Sequence, residues 1–178
     1  EVYEMKRNHS IVLFVALTAT FLSGIVTRAV SESGTAKPSS SRIERGAYLV
    51  AHMGCNDCHT PLKMGPRGPE PDMTRGLAGH PEGLVMPPAP ALPPGPWGWV
   101  GAATNTAFAG PWGVSFTANL TPDKETGLGS WTEEMFIATM RTGRHQGMGR
   151  PVLPPMPVQM LAALTDTDIK DLFAYLQS

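Results

Sequence analysis

Cysteine is almost missing from this chain: among 178 residues there are two, Cys55 and Cys58. One Cys-x-x-Cys pair is half of the four-ligand set a structural zinc ion needs. Charge of either sign is also lacking in excess, with 14 Lys+Arg against 15 Asp+Glu. That balance removes nucleic acid and a polybasic membrane surface from the expected partners. Aromatic residues are 7% of the chain, so aromatic side chains alone cannot fill a core. No internal repeat occurs, and between residues 32 and 178 no alternating strand pattern competes with the helical ones. The expected fold class is all-α.

What is present is Cys55-Asn56-Asp57-Cys58-His59. Cys-x-x-Cys-His is the attachment signature of a c-type haem. Two thiols add to the two vinyl groups of one porphyrin, and two intervening residues let both reach. The adjacent imidazole then lies under the ring, where it serves as proximal iron ligand. A thioredoxin-like pair expects a βαβ setting, and the flanks here read as helix and then loop. A lone structural disulfide suits an exported protein but gives His59 no role. The expected cofactor is one covalent haem c with its iron, and that haem would supply much of the apolar volume that aromatics do not.

Met5 reads as the true start. Lys6-Arg7-Asn8-His9 form a basic region, residues 10–27 are uncharged and mostly apolar, and Ala29-Val30-Ser31 is a small-x-small cleavage pattern. This is signal-peptide architecture, while 18 residues also suffice for a membrane anchor. Residues 1–31 are therefore expected to be a signal peptide or an anchor, with membrane association through residues 10–27 in the second case. Either way residues 32–178 lie in the periplasm or elsewhere outside the cytoplasm. A Ser-rich linker is expected over 32–41, and a haem domain over 42–178 with an irregular insert at 61–115.

Within the domain, Ser41-Arg42-Ile43-Glu44 reads as a capping box, followed by Ile43, Ala47, Val50 and Ala51 on one helical face. Gly46 inside this helix costs up to ~1 kcal/mol relative to Ala, which either reflects close packing there or is simply tolerated. From 61 to 114 the chain holds 12 of its 18 prolines and 10 of its 19 glycines. Residues 86–96 exclude helix and central strand, because proline lacks the amide donor. Trp97, Trp99, Phe108 and Trp112 predict an extended wrap that packs aromatics over the domain. Met73, His80 and Met86 are weak ligand candidates there.

Ser130-Trp131-Thr132-Glu133 opens a further helix, with Trp131, Met135 and Ala138 on one face and Gly143 as its stop. Met135 and Met140 read as core. The loop 144–157 contains His145, Met148 and Met156. Met156 lies among Pro154, Pro155 and Pro157, which hold its backbone stiffly, and it is the preferred distal ligand. The last helix is capped by Thr165, with Asp168 at its third position and a Leu164–Ile169 staple. Ile169, Leu172, Phe173 and Leu176 form its apolar stripe.

This order of helix, Cys-x-x-Cys-His, long loops, Met-Pro loop and terminal helix ending Ala174-Tyr175-Leu176 resembles the class I cytochrome c family. The resemblance implies that the first and last helices cross with Gly46 against Tyr175 or Phe173. It maps the distal ligand onto Met156. Residues 119–123, 126–132 and 155–157 resemble haem domains of bacterial membrane dehydrogenase cytochrome subunits. Together these resemblances imply a monohaem electron carrier, not an enzyme, with iron on His59 and Met156 and with redox protein partners. Trp131, Arg141 and Arg144 are candidate donors to the haem propionates. A subunit docked in a larger respiratory or photosynthetic complex is the second reading. An open-site haem enzyme or sensor is the third, and it requires that Met156 not bind iron.

Overall fold

The computed structural model describes residues 37–178; the expected signal peptide or anchor and most of the expected linker lie outside the described residues. Helix α1 (Ser40–His52) is capped by Ser39, whose hydroxyl accepts from the Arg42 amide. The cap thus lies two residues before the expected Ser41, and the linker ends with it. Ser39, Ser40 and Ser41 offer the same cap chemistry, and starting at the first of them adds helical hydrogen bonds. Helix α2 (Cys55–His59) comes directly after it.

The insert corrects the expectation of an all-α, irregular segment, because it contains two small antiparallel sheets. Strands β1 (Leu62–Gly65) and β2 (Gly68–Pro71) pair as a hairpin. Strands β3 (Val100–Gly101), β4 (Ala107–Gly110) and β5 (Gly113–Phe116) form a sheet in the order β3-β4-β5. Strands of two to four residues are too short to display an alternation in sequence. Pro69 and Pro71 are tolerated in β2 because it is an edge strand. Residues 86–99 carry no helix and no strand, as their prolines require. The predicted aromatic wrap is only partly realised. Phe108 is buried and Trp99 stands edge-on to it with ring centroids 5.6 Å apart, whereas Trp97, between Pro96 and Gly98, is exposed.

Helix α3 (Glu133–Thr142) is capped by Thr132, whose hydroxyl accepts from the Met135 amide, so the expected opening at Ser130 moves two residues on. It buries Phe136 and Thr139, while Met135 is exposed. The predicted face through Met135 is rotated toward solvent, because the helix turns Phe136 onto Phe173 at 5.1 Å between ring centroids. Gly143 ends α3 at φ 63°, as expected. After a short α4 (Val158–Ala162), α5 (Asp166–Leu176) is capped by Thr165 and buries Ile169, Leu172, Phe173 and Leu176.

The core lies where α1, α3 and α5 meet: Leu49 and Val50, Leu128, Phe136, and the α5 stripe. α1 crosses α5 at Gly46. A Cβ there would overlap the Asp171 carbonyl and come within 2.7 Å of Tyr175 Cβ, so only glycine fits the crossing. Arg42 on α1 donates to Asp171 on α5 (2.9 Å) and to Glu133 on α3 (2.7 Å), joining the three helices. These hydrogen bonds, Glu133 first, hold its guanidinium above the ordinary pKa.

Candidate haem site

Gly54, at φ 73°, turns the chain so that α2 starts at Cys55. Three residues apart on a helix, Cys55 and Cys58 project from one face. Burial first, and then the Asp57 carboxylate, push both thiol pKa values up, that of Cys55 also against Cys58. His59 is 7% exposed. Its Nδ1 lies 2.8 Å from the Ala118 carbonyl oxygen. A carbonyl only accepts, so Nδ1 carries the proton and Nε2 keeps its lone pair. Burial lowers the imidazole pKa and favours this neutral form. A neutral ring with one nitrogen tied to backbone and the other free is the donor state a haem iron takes.

The insert clasps α2 on several sides. Thr60, fully buried, donates to Asn56 Oδ1 (2.8 Å) and accepts from the Leu77 amide (2.9 Å). The Gly79 amide donates to the His59 carbonyl (2.8 Å), and the Asn105 side-chain amide donates to the Asp57 carbonyl (2.7 Å). Gly79, at φ 72°, has no room for a Cβ against residues 117 and 118, which lets the chain carrying Ala118 approach. Thr60, Gly79, Asn105 and Ala118 do not stand out in the sequence. All four act through or against backbone, which leaves no side-chain pattern to read.

Met156 is half-buried, and its carbonyl accepts from the Val158 amide at the start of α4 (2.9 Å). The other candidates differ. Met148 is 88% and Met73 66% exposed. His80 has both ring nitrogens engaged: Nε2 donates to the Leu84 carbonyl and Nδ1 accepts from the Thr106 hydroxyl, each at 3.0 Å. His145 is exposed and lies edge-on to Trp131. Met86 lines a shallow cavity between residues 86–90 and the β3-β4-β5 sheet. Of the candidate propionate donors, Arg141 is taken up by the Ala162 and Leu164 carbonyls and by Asp166, and Arg144 by the Gly149 carbonyl. Arg141 thereby ties α3 to the α4–α5 junction, and Arg144 braces its own loop. The Trp131 indole has no hydrogen bond among the described residues.

A cytochrome c family model matches residues 43–178. The chain belongs to the cytochrome c family. Its cofactor is covalently bound haem c, held by the Cys55 and Cys58 pair. Among similar proteins, the fructose dehydrogenase cytochrome subunit of Gluconobacter japonicus is 28% identical over 162 residues, 90% of this chain and 26% of that protein. A nicotinate dehydrogenase subunit from Pseudomonas putida is 28% identical over 149 residues, 84% of this chain and 10% of that protein. The gluconate 2-dehydrogenase cytochrome c subunit of Pantoea cypripedii is 37% identical over 73 residues, 41% of this chain and 16% of that protein. This cytochrome thus spans about a quarter or less of the curated relatives it matches.

Proposed function

We propose that this cytochrome is a monohaem electron carrier acting outside the cytoplasm, in which His59 and Met156 would hold the haem iron. The observation that carries the reading is the His59 ring, buried, neutral and fixed through Nδ1 to Ala118. Haem c supplies a one-electron iron couple, and a His/Met pair raises its potential. The protein's own part is to hold two ligands still and keep water from the proximal side. Held by two protein side chains, the iron would have no position open to substrate, so the chain would carry electrons and not act as an enzyme itself.

The relatives' names, cytochrome subunits of dehydrogenases, support a redox-complex partner, either a dehydrogenase or another redox protein. Location outside the cytoplasm draws on the apolar stretch 10–27 and the site after it. Among the described residues no helix is long and apolar enough to cross a membrane.

The test is Met156→Ala in the haem-loaded protein. Loss of the sulfur-to-iron charge-transfer band, a lower midpoint potential and new carbon monoxide binding by the reduced protein are expected. An unchanged spectrum refutes Met156. Carbon monoxide binding by the unmodified reduced protein at neutral pH favours the open-site enzyme or sensor.

A further inference from the structure

We infer that Ser115, on the last strand of the insert, is a positioning residue for the Met156 thioether. The assignment rests on Met156 as the distal ligand. Three of the five residues in 153–157 are prolines and donate no backbone hydrogen bond. The segment therefore has little means of fastening itself. Its carbonyls at Met156 and Pro157 are used by the amides of α4, the next element. Among the described residues, one hydrogen bond reaches residues 153–156 from an element other than α4: Ser115 Oγ donates to the Pro154 carbonyl at 2.7 Å.

That hydroxyl is itself oriented. It has one proton, which goes to Pro154, and its lone pair accepts from Trp112 Nε1 at 3.3 Å. Trp112 sits in the β4–β5 turn, and its ring lies against Gly110, where a Cβ would come within 2.6 Å of it. Ser115 pairs with Phe108 across the sheet, and Phe108 is 2% exposed. The hydroxyl is thus mounted on the anchored face of a hairpin. Three residues further along the same chain segment, the Ala118 carbonyl holds His59. One short stretch, 115–118, is bonded to both proposed ligand segments, the proximal one at its end and the distal one at its start. This gives the insert a purpose the helices do not serve: it sets the distance between the two ligand-bearing segments.

Removing the hydroxyl would free the Met156 segment without altering the ligand itself. One neutral hydrogen bond corresponds to about a fivefold change in the balance between bound and released thioether. The experiment compares haem-loaded wild type, Ser115→Ala, Ser115→Thr and Met156→Ala. It reads the sulfur-to-iron band, the rate of carbon monoxide binding to the reduced protein, and the thermal midpoint. Ser115→Ala is expected to raise the carbon monoxide rate about fivefold and to weaken the band on warming, while Ser115→Thr restores both. Met156→Ala must abolish the band; if it does not, the ligand reading falls and the role of Ser115 with it. If Met156→Ala abolishes the band but Ser115→Ala matches wild type in band and carbon monoxide rate, Met156 stands and the Ser115 assignment is overturned. A lower thermal midpoint alone, with both spectroscopic readouts unchanged, also overturns it, because that is a structural effect only.

Discussion

At the scale of single residues, the tightest constraint is Gly46. A glycine inside a helix is unfavourable by local propensity, and here the deficit is offset by the closeness of the α1–α5 crossing. What faces it is mainly the Asp171 carbonyl, and backbone cannot rotate aside as a side chain can. Gly46→Leu should therefore destabilise the fold by the upper end of the ~1–3 kcal/mol typical of overpacking, or more. Chemical denaturation of the haem-loaded variant would measure this, and a wild-type midpoint would show that the crossing is not as tight as described. The glycine is visible in the sequence as an anomaly, and the family resemblance supplies its partner. Asp171 is not visible. A carboxylate on the buried stripe of α5 contradicts the pattern around it, and its reason, Arg42, lies 129 residues away in sequence.

Elements are legible in proportion to how local their causes are. Helix α5 and the Cys-x-x-Cys-His turn depend on neighbours within a few residues, so periodicity and spacing reveal them. The caps of α1 and α3 each lie two residues from the expected place, because several adjacent hydroxyl residues could serve. The strands of the insert are not legible, since two to four residues with prolines carry no period. Apart from the Asn105 side chain, what the loops around these strands offer α2 and its cap is backbone, the Leu77 and Gly79 amides and the Ala118 carbonyl, which every residue possesses. From the helix side, Thr60 is the side chain that closes this joint. Thr60→Val keeps the shape but leaves the part-buried Leu77 amide without its acceptor, a loss of about 1 kcal/mol. Thermal unfolding and hydrogen exchange at the Leu77 amide should both register it. Unchanged protection at Leu77 would mean that the insert is held to α2 by its other bonds.

For the whole molecule, the helices are tied by charge as well as by the core, and the ties have a pH signature. Arg45 on α1 donates to Asp168 on α5 (2.8 Å), and Asp168 also accepts from the Thr165 cap. Arg45 first, and Thr165 next, hold the Asp168 carboxyl below its ordinary value of 3.8. A carboxylate whose pKa is lower folded than unfolded adds stability that is complete above the unfolded value. That stability is lost as pH falls through the folded one. The thermal midpoint should thus hold level from neutrality to about pH 5 and decline below about pH 4. Asp168→Asn should lower the neutral plateau slightly, by less than about 1 kcal/mol for so exposed a pair, and make the acid decline shallower. The difference between variant and wild type should shrink toward zero as the acid limb is descended. A difference that stays constant down to about pH 3, below the unfolded carboxyl value, would show that Asp168 acts by shape at the α5 cap and not by its charge between α1 and α5.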